Sequence, residues 1–242
     1  MLKLGGDLMV SMLRIATEPD DAEPGDDSPV RLAIVNIDIL SQSLPPAHVL
    51  PPLLEQFPKL VSSQNECERR AALLALGAVM EGALDYMAEY IDQGLQHVFA
   101  ALKDPSPMVV RAALVSLSQI TEELPSEVVK YHSTMVPDVF NLLQSNHSEV
   151  MKAACGTLDA ILEWIPQDAM VHYLPNLMKA LLSIMHNSTD NDVKLIAAGI
   201  SFCLLSNISC DRYSCTRFQE FFRTVSSALS RDVPQHERCQ HF

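Results

Sequence analysis

The chain of 242 residues is poor in glycine, in aromatic side chains and in positive charge. Only 8 residues are glycine and 6% are aromatic, whereas 48% are hydrophobic, so most of the chain can fold into ordered structure. The 17 lysine and arginine side chains face 30 acidic ones, which gives a net charge of −13. An acidic surface repels the phosphates of nucleic acids and attracts basic partners. Direct nucleic-acid binding is therefore not expected.

The sequence also lacks the patterns that mark membrane insertion, secretion and common catalytic sites. Its most apolar stretch, 195–205, is too short for a transmembrane helix, and residues 1–6 do not have the layout of a signal peptide. No Gly-x-x-x-x-Gly-Lys phosphate loop occurs, and the histidines lie in separate segments without a partnered nucleophile. We therefore expect a protein that is not an enzyme, uses no cofactor and does not insert into a membrane.

The six cysteines favour free thiols over disulfides or a metal site. Cys67 and Cys155 are isolated in helical segments, as expected for a reducing compartment. A C-terminal group of cysteines and histidines has side chains suited to zinc, but its spacing matches no familiar Cys-x-x-Cys pairing. This group consists of Cys203, Cys210, Cys215, Cys239, His236 and His241. We expect no metal site.

What the chain does contain is a regular repeat. A basic residue opens a short run rich in alanine and leucine five times, in steps of 39, 41, 41 and 42 residues. These residues are Arg31, Arg70, Arg111, Lys152 and Lys194. A period near 40 that is made of two helical segments is the signature of an α-solenoid, whose units bury their apolar faces against their neighbours. The repeat predicts an all-α fold and a function that depends on a long surface.

Each unit has the same order: a leading helix that begins at the basic residue, a break, a second helix and a polar turn. Residues 1–17 are predicted to be the end of a preceding repeat, and 18–29, with six acids, three prolines and a glycine, to be an acidic loop. About four to five helix pairs are predicted over 30–202, followed by a divergent tail, 203–242. The second helices are predicted at 48–61, 86–102, 128–143 and 170–186.

Helical geometry divides the leading helix into two stripes. Counted from the basic residue as zero, positions 2, 6 and 9 form an apolar stripe, which predicts the core. In the three clearest units these positions hold Ala72, Leu76 and Val79; Ala113, Leu117 and Ile120; and Ala154, Leu158 and Ile161. Positions 0, 7 and 11 form a second stripe, because eleven residues complete about three turns. Its members are Arg70, Gly77 and Glu81; Arg111, Ser118 and Glu122; and Lys152, Asp159 and Glu163.

The second stripe begins with a cation and ends with a carboxylate in each unit. Stacking is predicted to align Glu81, Glu122 and Glu163, which we call the glutamate column. The column is either a binding strip for lysine- and arginine-rich proteins or a solvated face whose carboxylates pair with Arg111 or Lys152 of the next repeat. Trp164, the single tryptophan, is either a packing residue or an anchor for a partner. The residues predicted to bind a basic partner protein are Glu81, Glu122, Asp159, Glu163 and Trp164.

Two segments resemble the HEAT repeats of nuclear transport receptors of the importin-beta (karyopherin-beta) family. They are 67–83, CERRAALLALGAVMEGA, and 104–119, DPSPMVVRAALVSLSQ. Within the family, the LPPAHVLPPLL stretch at 44–54 and the acidic loop before it are similar to the importin-4-like branch. The resemblance covers roughly residues 8–202 and identifies the chain as part of such a protein.

The resemblance implies a right-handed superhelix of antiparallel helix pairs that carries cargo between cytoplasm and nucleus through the nuclear pore. It implies that the leading helices correspond to the inner B helices, which hold basic cargo such as histones or ribosomal proteins. The second helices correspond to the outer A helices, which accept Phe-Gly motifs of nucleoporins. Binding of the Ran GTPase is implied only for a longer protein, because the Ran-binding repeats are not recognisable here. The alternative is a HEAT-repeat scaffold or adaptor subunit of another multiprotein complex, which should bind no Phe-Gly peptide.

Overall fold

A computed structural model describes residues 2–20, 27–188 and 190–207. Over these ranges the chain folds into helices joined by turns, without a strand, so the predicted all-α class is confirmed. None of the described helices is both long enough and apolar enough to cross a bilayer. The residues within the same ranges form no group of three or more side chains that could hold a metal ion.

Twelve helices follow one another in the described part of the chain. They are α1 (Leu2–Ala16), α2 (Pro29–Ser43), α3 (Pro46–Val61), α4 (Glu66–Ala78), α5 (Met80–Met87), α6 (Ile91–Ala101), α7 (Pro107–Glu123), α8 (Pro125–Val129), α9 (His132–Leu142), α10 (Ser148–Leu162), α11 (Gln167–Asn187) and α12 (Asn191–Asn207). The chain divides into two compact units, Met1–Trp164 and Ile165–Phe242. In the second unit, α11 packs against α12.

The first unit is a stack of helix pairs. The paired helices are α1 with α2, α3 with α4, α6 with α7 and α9 with α10. The leading helices α2, α4, α7 and α10 pack one after another, and we call them the leading row. Helix α1, which the sequence assigns to the end of a preceding repeat, pairs with α2 and also packs on α3.

The apolar stripe of the leading helices forms the core, as the sequence predicts. All nine residues at positions 2, 6 and 9 are buried, and the most exposed of them, Leu76, retains 2% of its surface. Burying one leucine or isoleucine side chain contributes about 1.5–3 kcal/mol. Repetition of the same three positions in each unit therefore gives the stack a continuous apolar interior.

Capping side chains or prolines stand at the N-termini of several helices in this stack. The Ser28 hydroxyl accepts a hydrogen bond from the Arg31 amide at 3.1 Å, and the Asn65 side chain accepts one from the Cys67 amide at 3.0 Å. These caps satisfy amides that have no partner inside the helix. Proline stands in the first turn of α2, α3, α7 and α8, where its missing N–H costs nothing.

Two of the predicted second helices are each divided in two. The segment 86–102 is interrupted between Met87 and Ile91, and the segment 128–143 between Val129 and His132. Tyr90 and Tyr131 precede the new helices with ψ angles of −9° and 10°, far from the value of about −42° in a regular helix, and the Tyr131 angles lie outside the helical region. The Tyr90 ring stacks on Tyr86 at 5.7 Å between centroids, and the Tyr131 hydroxyl donates to Asp92 at 3.0 Å. A local ring contact therefore accompanies the first interruption, and a tertiary contact accompanies the second.

Gly82 marks a point where two backbones approach each other closely. The residue after Gly82, Ala83, has non-helical angles, with φ −140° and ψ 25°. A Cβ atom on Gly82 would lie 2.3 Å from the carbonyl carbon of Ser41 and 2.5 Å from the amide nitrogen of Gln42. Neither backbone atom can rotate away, so only glycine fits where α5 packs on α2.

The structure describes two of the cysteines in the first unit and the first residues of the predicted tail. Cys155 is buried, which raises the pKa of its thiol to about 12, and Cys67 is half-buried; both are free thiols. Helix α12 continues through 203–207, the first residues of the predicted tail. The rest of that tail, 208–242, lies outside the described residues together with most of the Cys/His group.

We predict that Gly82→Ala destabilises the first unit by at least about 2 kcal/mol, because the added methyl group overlaps the backbone of α2. The matched control is Gly156→Ala in α10, where an added Cβ meets nothing within 4 Å. That change should stabilise by about 0.5–1 kcal/mol, since alanine is the better helix former. Urea unfolding followed by circular dichroism measures both, and equal stabilities of the two variants would contradict the close approach.

Candidate protein-binding surface

Small side chains hold the leading row together. A Cβ atom on Gly77 of α4 would lie 3.0 Å from the Cα of Ser116, so α4 and α7 are in near-backbone contact. The Thr157 hydroxyl of α10 lies within hydrogen-bond distance of the Leu114 carbonyl of α7 at 2.9 Å and of the Ala153 carbonyl of its own helix at 2.8 Å, and its single proton is shared between them. The Gly77–Ser116 contact and the Thr157–Leu114 contact are both buried, and they hold neighbouring leading helices close together. Corresponding residues of α4, α7 and α10 therefore repeat along one side of the stack.

All five residues that the sequence selects for binding are exposed. Trp164 keeps 50% of its surface open to solvent, which argues against a role as a packing residue. The carboxylates occupy the ends of leading helices: Glu122 lies in the last turn of α7, and Glu163 is the C-cap of α10. Glu81 lies just beyond α4, in the first turn of α5. Exposure and position fit the predicted glutamate column; its role in binding stays a prediction.

The column glutamates make polar contacts nearby. Glu81 accepts a hydrogen bond from the Gln42 side chain at 3.0 Å, and Glu122 lies 3.4 Å from the Ser118 hydroxyl. The cations at the other end of the stripe form ion pairs at the start of α10. Arg111 lies 3.7 Å from a Glu149 oxygen, and Lys152 lies 3.5 Å from the other oxygen.

Negative charge is concentrated where α7 and α10 end. Neither helix has a basic residue in its last turn. The carbonyl end of a helix carries partial negative charge, so Glu122 and Glu163 add to the helix dipole instead of neutralising it. Asp159 is exposed as a residue, but neighbouring protein atoms partly desolvate its carboxyl group; this desolvation, together with the nearby Glu163 carboxylate, raises the pKa of Asp159. A cation placed here would relieve this accumulation of like charge.

The prediction that Arg70 lies on the polar stripe is wrong. Arg70 is 6% exposed, and its guanidinium donates to the carbonyls of Ala16 at 3.0 Å and Glu18 at 2.7 Å. Its other terminal nitrogen lies 3.2 Å from the Met108 sulfur. The backbone carbonyls at the end of α1 lack helical partners, and Arg70 satisfies two of them. Gly77 is also buried, because α7 covers it.

An ion pair that the sequence does not single out joins two consecutive turns. Arg69 Nε and Nη2 donate to the two Asp104 oxygens at 2.8 and 2.9 Å, and Nη1 donates to the carbonyls of Ser63 and Gln64. Asp104 also accepts from the Ser106 amide at 2.9 Å. Although burial opposes it, these bonds lower the pKa of the Asp104 carboxyl, and the bond to Asp104 raises the pKa of Arg69. In the sequence, only the two adjacent arginines at 69 and 70 could have indicated this ion pair.

We predict that Asp104→Asn destabilises the protein by about 1–3 kcal/mol at pH 7, because it weakens a bidentate, charge-assisted contact. The folded-state pKa of Asp104 lies below its unfolded value. The pair therefore stabilises the fold above the unfolded pKa, and this contribution is lost as pH falls through the folded pKa. The difference from the wild type should shrink below about pH 4.

Chemical unfolding of both proteins from pH 7 to pH 3 tests the role of Asp104. Glu55→Gln is the control, because the Glu55–Lys59 pair is 3.4 Å long with side chains 72% and 64% exposed. Exposed pairs of this kind contribute at most about 0.5 kcal/mol. A pH-independent difference for Asp104→Asn would contradict the electrostatic assignment.

Comparisons with known proteins agree with this architecture. Residues 68–120 match the family model of the HEAT-like repeat. A probable importin subunit beta-4 of Schizosaccharomyces pombe is 37% identical over 87 residues, which are 36% of this chain and 8% of the relative. Human importin-4 is 31% identical over 84 residues, 34% of this chain and 8% of the relative. The chain thus matches less than a tenth of the length of each curated relative.

The fold is also found in the solved structures of Kap121p. The structure of Kap121p bound to RanGTP superimposes with a TM-score of 0.79 at 22% identity, over 93% of this chain and 23% of that chain. Kap121p has also been solved bound to Pho4p and bound to Nup53p. The repeat match and this structural likeness confirm the prediction of an all-α HEAT solenoid.

Proposed function

We propose that the chain is a segment of a nuclear transport receptor of the importin-beta family and that its leading row binds basic cargo. The observation that carries the proposal is the exposure of Glu81, Glu122, Asp159 and Glu163 beside the exposed Trp164. Structures of Kap121p with bound proteins support a family role in protein recognition. The segment carries out no chemical reaction and acts by binding alone.

The proposed mechanism of cargo binding is electrostatic. Carboxylates at the ends of packed helices raise the local concentration of lysine and arginine side chains, and the helix dipoles of α7 and α10 add to this attraction. Trp164 offers a ring face on which one of these cations can stack, a contact of about 0.5–1 kcal/mol at an exposed site. Exposed charges are screened by salt, so binding should weaken as ionic strength rises.

The remaining partners follow from the family. We propose that the second helices accept Phe-Gly motifs of pore proteins, in line with the Kap121p structure that contains Nup53p. Ran would act on a longer protein that includes this segment, as Kap121p has been solved with RanGTP. The proposed cargo is a lysine- or arginine-rich protein, with histones and ribosomal proteins as candidates, and the proposed location is cytoplasm, nucleus and pore.

Charge reversal of the glutamate column tests the proposal. The triple variant Glu81→Lys, Glu122→Lys and Glu163→Lys should weaken binding of a fluorescent lysine-rich peptide at least about tenfold, because three attractive contacts become repulsive. Fluorescence anisotropy at low and physiological salt measures the change. The matched control reverses the same number of charges on α1, on α3 and just before α6, all outside the leading row: Asp7→Lys, Glu55→Lys and Glu89→Lys.

The control separates a specific surface from the overall charge of the protein. The control variant has the same net charge as the column variant, so it should lose much less affinity if the column is the binding site. Equal losses in the two variants would contradict the proposed site. Failure of the wild type to bind Phe-Gly peptides, with peptide binding at the column intact, would favour a scaffold or adaptor role over transport.

A further inference from the structure

Trp164 is a large, exposed apolar side chain next to acidic ones. It is the single tryptophan of the chain, it directly follows the C-cap of α10, and it keeps 50% of its surface exposed. Asp159 and Glu163, which are four residues apart on one side of α10, are exposed as well. Tryptophan is among the residues that most often dominate the binding energy of protein interfaces. An exposed ring beside two carboxylates is therefore suited to a positively charged side chain.

The repeat indicates which neighbours the Trp164 ring has. Counted from the basic residue of its unit, Trp164 is position 12, and the same position of the second unit is Gly82. Gly82 closely approaches the backbone of positions 10 and 11 of the preceding leading helix, which are Ser41 and Gln42. Position 11 of α7, the leading helix before α10, is Glu122. Repeat equivalence therefore places Trp164 at the end of α7, beside Glu122. A ring does not fit where the second unit admits only glycine, so it projects into solvent.

The carboxylates near Trp164 have no cation of their own within the described helices. In the part of the chain that the structure describes, Glu122, Asp159 and Glu163 take part in no ion pair. Neither α7 nor α10 has a basic residue in its last turn. The two cations of the polar stripe on these helices lie near Glu149, at the start of α10. The cation that this surface can hold therefore has to come from a partner.

The combination of a ring and carboxylates distinguishes arginine from lysine. The guanidinium group is planar and weakly hydrated, so it can lie flat on the indole ring while the N–H groups at its edge point to carboxylates beside the ring. Such charge-assisted hydrogen bonds are strong and can be bidentate. The ammonium group of lysine is compact and strongly hydrated, and it has no flat face to stack. Arginine can therefore make both kinds of contact at once.

We propose that Trp164, between Glu122 and Glu163, selects arginine over lysine in the bound protein. The inference rests on the proposed function, the binding of basic proteins along the leading row, and adds the cation that one position of this row prefers. The equivalent positions of the two preceding units hold Gly82 and Glu123, which offer no ring. Arginine is therefore preferred at the α10 end of the row, whereas the rest of the glutamate column accepts lysine and arginine alike.

Two fluorescent peptides of the same length and charge, one with only lysine and one with only arginine as basic residues, test the proposal. Fluorescence anisotropy should show that the wild type binds the arginine peptide at least about threefold more tightly. Trp164→Leu keeps an apolar side chain without an aromatic face, so the ratio of the two affinities should fall at least about twofold, and Trp164→Phe should retain part of the preference. The matched control is Tyr90→Leu, a change at another aromatic residue, 39% exposed and outside the leading row. Its ratio should equal that of the wild type, and circular dichroism should show the same helix content in all variants.

The tryptophan also reports the contact directly, because the chain contains only one. The bound arginine peptide should shield the ring from quenching by acrylamide more than the bound lysine peptide does. Equal shielding, equal affinities in the wild type, or an unchanged ratio in Trp164→Leu would overturn the selection of arginine. If both peptides bind equally and charge reversal of the glutamate column weakens both, the proposed function stands and only the selection fails. A wild type that binds neither peptide would contradict both.

Discussion

Burial of apolar side chains between neighbouring helix pairs is the constraint on which the first unit depends. A single pair cannot enclose its own apolar stripe, so each stripe is covered by the next pair in the stack. The cluster of Ala16, Ala33 and Ala71 illustrates this, because it takes one residue from each of three helices, α1, α2 and α4. Stability is therefore distributed along the stack, and exposed stripes are expected wherever a neighbour is missing.

Close packing also determines which groups reach the surface. Gly77, Ser116 and Thr157 bring the leading helices so near to one another that large side chains are excluded between them. The ends of these helices carry glutamates instead of the cations that would neutralise their dipoles. The turns before the helices are held by Arg69 and Asp104, and the end of α1 by Arg70. The stack thus displays repeated negative charge at the ends of its leading helices.

The sequence predicts those features that depend on helical periodicity. The nine core residues and the exposed carboxylates follow from positions counted along one helix, and the structure buries the former and exposes the latter. The periodicity of one helix does not reveal the contacts that a neighbouring helix pair makes with it. Arg70 is buried because carbonyls of α1 reach it from more than 50 residues away. The helix interruptions at Tyr90 and Tyr131 likewise carry no proline or glycine signal. The Tyr131 ring contacts Phe99, which lies more than 30 residues earlier in the chain.

The central claim, that the ends of the leading helices form the surface that binds basic proteins, is tested most directly by mapping the contact. Zero-length carbodiimide cross-linking joins carboxylates to lysine amines that touch them, and mass spectrometry locates the joined residues. With a lysine-rich peptide bound, cross-links are predicted at Glu81, Glu122, Asp159 and Glu163. Cross-links confined to carboxylates of the second helices, such as Glu55 and Glu89, would contradict the account.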